Sequence, residues 1–596
     1  MNVVDHEGLR SAPEETLEAT VSTWLEAFEK ALTAGDQAQL SVIFQDECHW
    51  RDILAFTWHI SSSVGQQDVV PALLQQQPEI KASNFRLAEG RAAPRWVRRQ
   101  GIETLEALFD FETARGRGTG VLRLVGQVDG SLKAWVLLTT LQELKGFEEK
   151  VGSNRPSGEA YSRNFGGENW KDQRIRAEAY ADRDPAVLVV GGGQAGLVIA
   201  ARLGQLDVDT LVVDKFPRIG DNWRKRYHSL ALHNEIHANH LPYMPFPPTW
   251  PNFIPKDMLA DWFEAYAFAL EINYWAETEF VGGAYDESAK CWTATVRKAD
   301  GSERVMQPRH LIFANGVSGI PIVPELPGMA DFQGEVVHSH RYTDGSAWKG
   351  KKALVLGTGN SGHDVAQDLH SHGVDTTIIQ RGSTTVVSIA SATLNYALYK
   401  EGPSLEDCDL LAAASTYPLI KRGYQMAVQV MLERDKDIVA GLNAIGFEQD
   451  IGPDGTGHQM KYQTRGGGYY LDAGCSGLII DGEIGFLKYD NIETFCAEGA
   501  RLKDGTVVPA DLIVLATGYY QQIELVRRLL GEAVANKVGA IWGWGEDGEM
   551  NNMWKRTPQE GLWFIAGSLA QCRNYSKFLA LQIKAQEEGM IGALQA

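Results

Sequence analysis

Val187-Leu188-Val189-Val190-Gly191-Gly192-Gly193-Gln194-Ala195-Gly196 is the stretch that decides the fold. A short β-branched run meets a glycine-rich turn, and Leu197 to Gln205 continues in a helical pattern. Strand, turn and helix in that order are the context in which G-x-G-x-x-G reads as a dinucleotide fingerprint. Gly191 permits the tight turn, Gly193 the approach of a pyrophosphate, and Gly196 close packing of helix on strand. Gln194 and Ala195 open the helix, whose free N–H groups and positive dipole end face the phosphates. The next strand, Thr210 to Val213, ends in Asp214, with Lys215 beside it, 18 residues past Gly196. An acid there binds a ribose hydroxyl and disfavours a 2′-phosphate, so this site is expected to hold FAD or NAD rather than NADP.

The device occurs twice. Ala353 to Leu356 runs into Gly357-Thr358-Gly359-Asn360-Ser361-Gly362, and His363 to Ser371 continues as a helix. The following strand ends in Gln380-Arg381, so an arginine stands where the first unit has an acid. A guanidinium forks onto a phosphate, which is the NADP version of the fold. Two fingerprints with opposite selectors imply FAD in one unit and NADPH in the other. Gly357, Gly359, Asn360, Ser361, Gly362 and Arg381 are the second set of cofactor-binding candidates.

Around these units the 596 residues leave room for further domains. The net charge of −20 argues against nucleic acid or an anionic membrane as a partner. Six scattered cysteines without a C-x-x-C fit a reducing, cytoplasmic setting and offer no zinc site or redox dithiol. The acids Asp5 and Glu7, with no apolar run, do not read as a signal peptide. No stretch reaches the ~18 continuous apolar residues of a membrane span. His228, His233, His237 and His240 lie close in sequence, but without cysteines or a clear helical H-x-x-x-H they read as polar and core histidines. No metal is expected.

Residues 1–150 are expected to form a separate α+β domain. Leu17 to Thr33 has helical periodicity and closes on Gly35, Asp36 to Phe44 reads as a second helix, and His49 to Leu54, Gly120 to Leu124 and Lys133 to Leu141 read as strands. The run AGDQAQLSVIFQDECHWRD resembles the start of SnoaL-like cone domains. Trp50, Arg51 and Asp52 line a pocket on that reading. Otherwise Trp50 is core and Arg51–Asp52 a surface bridge. The domain is expected to pack, to form a homodimer contact or to shape an entrance. Residues 151–184 are polar and read as a surface linker ending at Pro185.

Beyond the first βαβ unit the chain resembles the flavin-containing monooxygenases over about 400 of its 596 residues. The stretch from Gly220-Asp221-Asn222-Trp223-Arg224 through Tyr227-His228-Ser229-Leu230-Ala231-Leu232-His233-Asn234 is similar to the indole-pyruvate branch. The resemblance places Asn222, Trp223 and Arg224 at the flavin. It aligns His233 with the family's active-site asparagine, with Asn234 adjacent as the alternative. Phe332 to Tyr342 fits F-x-G-x-x-x-H-x-x-x-Y, the family's identifying motif, and its His338 is expected at the hinge between nucleotide domains. Ala516-Thr517-Gly518 resembles the second FAD-side signature, and the strand before Gly567 is expected to return to the flavin.

The fold class expected is α/β: two Rossmann-like dinucleotide-binding domains preceded by the α+β cone. The FAD domain is assigned to 185–345 and 485–596, and the NADPH domain with a helical insertion to 346–484. Leu394 to Cys475 is the insertion, with turns at 466–470 and 474–477 and Arg465 as a candidate cation. The resemblance implies an NADPH- and O2-dependent monooxygenase acting on a small organic substrate through a C4a-(hydro)peroxyflavin. N- or S-oxygenation and Baeyer–Villiger or decarboxylative oxidation of a ketone or 2-oxo acid both remain open. So do indole-3-pyruvate monooxygenation and NADPH oxidase or flavin reductase activity without oxygen transfer. A disulfide reductase would need a cysteine pair over the flavin.

Overall fold

The computed structural model describes residues 13–157, 163–592 and 594. Asp5 and Glu7 and part of the 151–184 segment lie outside them. Among the described residues no helix is long and apolar enough to cross a membrane.

Residues 13–147 form a seven-stranded sheet with three helices. The helix Glu14–Ala34 buries Leu17, Val21, Trp24, Leu25, Phe28, Ala31 and Leu32, one apolar stripe at helical spacing, and stops at Gly35 with φ 68°. Asp36 caps the helix Gln37–Ile43 by accepting from the Gln39 N–H at 3.0 Å. The strand Phe44–Ile53 pairs parallel with Leu132–Leu144, and the other pairs are antiparallel. The 151–184 segment is more than a linker. It holds the helix Trp170–Ala179, closed by an Asn169–Asp172 capping box and pinned through Trp275 Nε1, which donates to the Glu178 carbonyl at 2.7 Å.

The first dinucleotide unit is a five-stranded parallel sheet in the order Asn273–Trp275, Thr210–Val213, Val187–Val190, His310–Phe313, Leu562–Phe564. The second repeats it: Gly485–Lys488, Asp375–Gln380, Lys352–Leu356, Leu512–Leu515, Glu335–His338. In both, a three-stranded antiparallel meander precedes the fourth strand. Thr210–Val213, His310–Phe313 and Leu512–Leu515 are buried along their whole length, as covered parallel strands must be.

This pairing corrects the expected division. Glu335–His338, Gly485–Lys488 and Leu512–Leu515 belong to the second sheet, not the first. Their apolar, β-branched character marks them as buried strands but says nothing about which sheet takes them. Two chain passes cross between the units, and Ile320–Pro321 pairs there with Tyr519–Tyr520.

The insertion runs between the strands Asp375–Gln380 and Gly485–Lys488 of the second sheet. It contains the helices Leu405–Ala413, Tyr417–Arg434, Lys436–Ala444 and Gly457–Arg465. The turns expected at 466–470 and 474–477 are partly regular structure: Tyr469–Asp472 is a strand parallel to Thr385–Ser388, and Cys475–Ile480 is a helix. The glycines start these elements rather than replace them.

Arg51 departs from both readings of the Trp50-Arg51-Asp52 run, while Trp50 is core as the second had it. It does not pair with Asp52 and is not on the surface. Buried, it forks onto Glu549 at 2.8 and 2.6 Å and donates to the Ala413 carbonyl at 2.8 Å. Asp52 accepts instead from Thr139, Phe56 and Thr57, and Trp50 is core, donating to Thr139 at 3.0 Å.

Candidate functional site

Both fingerprints have the same construction. Gly191 takes φ 108°, and a Cβ there would stand 2.8 Å from the Ala314 carbonyl oxygen. Gly357 takes φ 119°, and its Cβ would stand 2.3 Å from the Ala516 carbonyl oxygen. Only glycine fits a turn so strained and so closely covered. Ala516-Thr517-Gly518 is therefore the partner of the second fingerprint, as Ala314-Asn315-Gly316 is of the first. The same run turns back toward the first unit, where Thr517 Oγ1 donates to the Ile322 carbonyl at 2.6 Å.

In the first unit Asp214 accepts from the Gly192 N–H at 2.6 Å and the Phe216 N–H at 2.9 Å. Burial raises its carboxyl above the usual range against these bonds. Lys215 sits beside it with its ammonium 5.6 Å from the Phe216 ring. Gly193 faces Asn222, whose amide nitrogen lies 2.8 Å from where a Cβ would be and whose Oδ1 is buried without a partner. Trp223 Nε1 donates to Gln194 Oε1 at 3.2 Å, and Gln194 Nε2 to the Gly567 carbonyl at 3.4 Å. Gln194, Asn222, Trp223 and Gly567 thus meet at one mouth. Arg224 does not. Its guanidinium is held by Asp221 at 2.6 Å and Asp261 at 2.9 Å, directed at carboxylates its neighbours supply.

In the second unit Asn360 Oδ1 accepts from the Leu471 N–H at 2.8 Å, tying the fingerprint to the insertion strand. Arg381 is exposed at the end of its strand, and among the described residues no ion pair or hydrogen bond engages it. The helix after the fingerprint receives two tyrosines. Tyr227 donates to Asp364, and Tyr342, the last residue of the F-x-G-x-x-x-H-x-x-x-Y motif, donates to Asp368 at 2.6 Å. His338 ends the outer strand with its ring edge-on to Tyr519 at 5.5 Å, and burial lowers its pKa. It lies at the crossing between the units, away from Asn234.

His233 and Asn234 separate. His233 lies near buried Asp364 and opposes the rise that burial imposes on that carboxyl. Asn234 points to the insertion, and its Nδ2 donates to the Tyr396 hydroxyl at 3.1 Å. Tyr396 also shares hydrogen bonds with Ser568 and Gln459, and burial raises its pKa. Tyr462, on the helix Gly457–Arg465, donates to Gln571 at 3.1 Å, and Gln571 Oε1 accepts from the Ser568 N–H at 3.0 Å. The mouth of the first unit, the second fingerprint and the insertion therefore converge on Asn234, Tyr396, Tyr462, Tyr469, Ser568 and Gln571. The sequence carried no signal for Tyr396, Tyr462 or Gln571, because the first two lie in an insertion outside any motif. Arg465 is exposed and donates to the Gly467 carbonyl at 3.2 Å. The cation near the site is Arg573, forked onto Asp409 at 2.8 and 2.7 Å and donating to the Ala238 and His240 carbonyls. Of the four neighbouring histidines, His240 accepts from the Phe246 N–H at 2.9 Å and His237 faces Glu235.

Known proteins match this arrangement. A pyridine nucleotide-disulphide oxidoreductase family model matches residues 185–402. Indole-3-pyruvate monooxygenase YUCCA1 of Oryza sativa subsp. japonica is 30% identical over 346 residues, 57% of this chain and 78% of that protein. Probable indole-3-pyruvate monooxygenase YUCCA9 of Arabidopsis thaliana is 30% identical over 342 residues, 56% of this chain and 75% of that one. The epsilon-caprolactone-bound crystal structure of cyclohexanone monooxygenase superposes with a TM-score of 0.50 at 16% identity, covering 68% of this chain and 88% of that one, a likeness of fold. The chain belongs to the flavin monooxygenase family, whose members are NADPH-dependent flavin oxidoreductases.

Proposed function

We propose that this enzyme uses FAD in the first unit and NADPH in the second to insert one oxygen atom into a small, uncharged organic substrate beside Asn234 and Tyr396. The observation that carries the cofactor assignment is the pair of matching glycine cradles with opposite selectors. At the first, Gly191 and Gly196 pack the turn against backbone, Gly193 leaves the chain open to a pyrophosphate, Asp214 suits a ribose hydroxyl, and the orphaned Asn222 Oδ1 suits a donor. At the second, Gly357, Gly359 and Gly362 form the cradle and the unengaged Arg381 suits a 2′-phosphate. Both sets of residues fit their groups. FAD reduced by NADPH supplies the oxygen-activating chemistry.

The protein's share is position and dryness. Gln194, Trp223 and Gly567 fix the mouth where the first unit meets the insertion. Tyr396, Tyr462 and Tyr469 supply an aromatic wall that keeps water out. Asn234 Nδ2 and the Tyr396 hydroxyl are the hydrogen-bond donors available to a substrate oxygen or to the leaving oxygen atom. Tyr342 braces the helix of the second unit, and His338 packs against Tyr519 where the chain crosses between the units.

The wall favours a neutral ketone, sulfide or unprotonated amine, since it presents phenols and amides and Arg573 is already neutralised by Asp409. A 2-oxo acid is the second reading, favoured by the two indole-3-pyruvate monooxygenase relatives. The test is NADPH consumption, peroxide release and product mass with an aryl methyl sulfide, an aryl ketone, a tertiary amine and indole-3-pyruvate. Oxygenated neutral products support the first reading, and oxidation of the 2-oxo acid alone overturns it. Stoichiometric peroxide with every compound would mark an NADPH oxidase.

Six unpaired cysteines support a reducing, cytoplasmic setting. Three helices on a seven-stranded, mostly antiparallel sheet support the SnoaL-like reading of residues 1–150.

A further inference from the structure

The N-terminal sheet has no part in the function just proposed, yet it sends a row of arginines into the rest of the molecule. Arg99 donates to both carboxylate oxygens of Glu401, at 2.7 and 2.9 Å, and Arg95 donates to the same group at 2.8 Å. The side chains of Arg99 and Glu401 are each 1% exposed. Behind them Glu106 accepts from Arg99 at 2.7 Å and from Arg123 at 2.9 Å. Burial alone would raise the Glu106 carboxyl, but the three arginines hold it well below the usual range. Desolvating that much charge is costly, and simple adhesion of two domains does not need it.

The place where Glu401 sits gives the cluster a purpose. Glu401 is the C-cap of the 3-10 turn Thr393–Lys400. Such turns are weakly self-supporting, and this one is broken at Tyr396, whose φ of −115° and ψ of 16° are not helical. Tyr396 is the residue that reaches Asn234. The turn is also held from outside by its own side chains: Tyr399 donates to Asp409 at 2.7 Å, an acid itself gripped by Arg573, Lys400 pairs with Glu235 beside Asn234, and Asn395 Nδ2 lies 2.8 Å from His458 Nε2.

We propose that the N-terminal domain is a positioning element for the substrate wall: Arg99 and Arg95 hold Glu401, and through it the turn that presents Tyr396 to Asn234. This rests on the assignment of Tyr396 to the substrate side. Arg99, Arg95 and Glu401 are positioning residues and touch neither cofactor nor substrate. Without the clamp the kinked turn relaxes, the Tyr396 hydroxyl leaves Asn234, and the wall opens to water. Cofactor reduction, which depends on the two fingerprints, is untouched.

The experiment compares Glu401→Gln, Tyr396→Phe and the double variant in the full-length holoenzyme, using whichever panel compound the wild type oxygenates best. Three quantities are read: the anaerobic rate of flavin reduction by NADPH, peroxide released per NADPH, and KM against kcat for the substrate. Glu401→Gln is expected to raise KM about 10-fold, the worth of one well-placed hydrogen bond, with peroxide release rising in step. Flavin reduction stays within about twofold of wild type. Tyr396→Phe should show the same pattern, and the double variant should be no worse than either single change. Arg99→Lys, which keeps the charge and loses the fork, should fall between. Glu401→Gln with wild-type KM and coupling, or effects that multiply in the double variant, would overturn the clamp alone. A silent Tyr396→Phe would overturn the wall assignment and the clamp with it. If Glu401→Gln fails to fold, Arg95→Lys is read in the same way, because Arg95 is 27% exposed and its loss leaves Arg99 in place.

Discussion

Replacing Gly357 with alanine tests the second nucleotide unit without touching the first. Gly357 has φ 119°, and an added Cβ would lie 2.3 Å from the Ala516 carbonyl oxygen, closer than real Cβ atoms come to any neighbour. A non-glycine residue at such a φ costs about 1–3 kcal/mol, and relieving the clash in a packed setting a similar amount. The turn lowers that cost by moving away from the strand Leu512–Leu515, and a displacement near 1 Å lowers productive binding by roughly 10²-fold. The expected protein is therefore yellow, with a full complement of FAD, but with a KM for NADPH raised roughly 10²-fold in stopped-flow flavin reduction. Gly191→Ala, strained in the same way at φ 108°, should do the reverse and emerge with little flavin. Wild-type NADPH kinetics in Gly357→Ala, or loss of flavin there with retention in Gly191→Ala, would refute the assignment of the two units.

Three further outcomes are expected. Arg381→Ala should raise the KM for NADPH by about 10- to 100-fold and leave the KM for NADH within twofold, measured in parallel titrations. Tyr342→Phe leaves Asp368 Oδ2 with the Gly345 N–H and the more distant His372 ring at 3.7 Å, so urea unfolding should report a loss of about 1–3 kcal/mol while the product spectrum stays the same. A switch between ketone and sulfide oxidation would show that Tyr342 chooses the chemistry. His49, His363 and His458 are buried and neutral, their pKa values lowered by burial from 6.5 to about 4. The unfolded chain takes up their protons first, so their contribution is complete above pH 6.5 and is lost as pH falls from 6.5 toward 4. Roughly 2 kcal/mol each at pH 5 should appear as a lower urea midpoint at pH 5 than at pH 7.5, and equal midpoints would contradict it.

The local devices were legible in the sequence because each is complete within a few residues. Gly191 to Gly196 contains its own strand, turn and helix, and Asp214 and Arg381 follow at fixed distances. What could not be read was pairing at long range. Leu512–Leu515 and Val187–Val190 are alike in composition, and only hydrogen bonding to Lys352–Leu356 assigns the former to the second sheet. Arg51 looked like half of a local pair with Asp52, because nothing near it announces Glu549. Tyr396 was invisible for a different reason: its role depends on a kink in an irregular turn, which no periodicity encodes. The family motif singled out His338 and Tyr342, but nothing in it announced that Tyr342 bonds Asp368 on the neighbouring helix while His338 packs against Tyr519.

The Arg51 fork has a consequence for how the chain is made. Its acceptors Glu549 and Tyr575 lie 498 and 524 residues downstream. At roughly 5–20 residues per second, the ribosome delivers Glu549 on the order of half a minute or more after Arg51 has emerged. Through that interval the arginine face of the N-terminal sheet must wait in water, charged and open, while both nucleotide units are synthesised. The N-terminal sheet is thus completed only after both nucleotide units have been made, and its guanidinium groups keep that waiting surface soluble until the acids that bury them arrive.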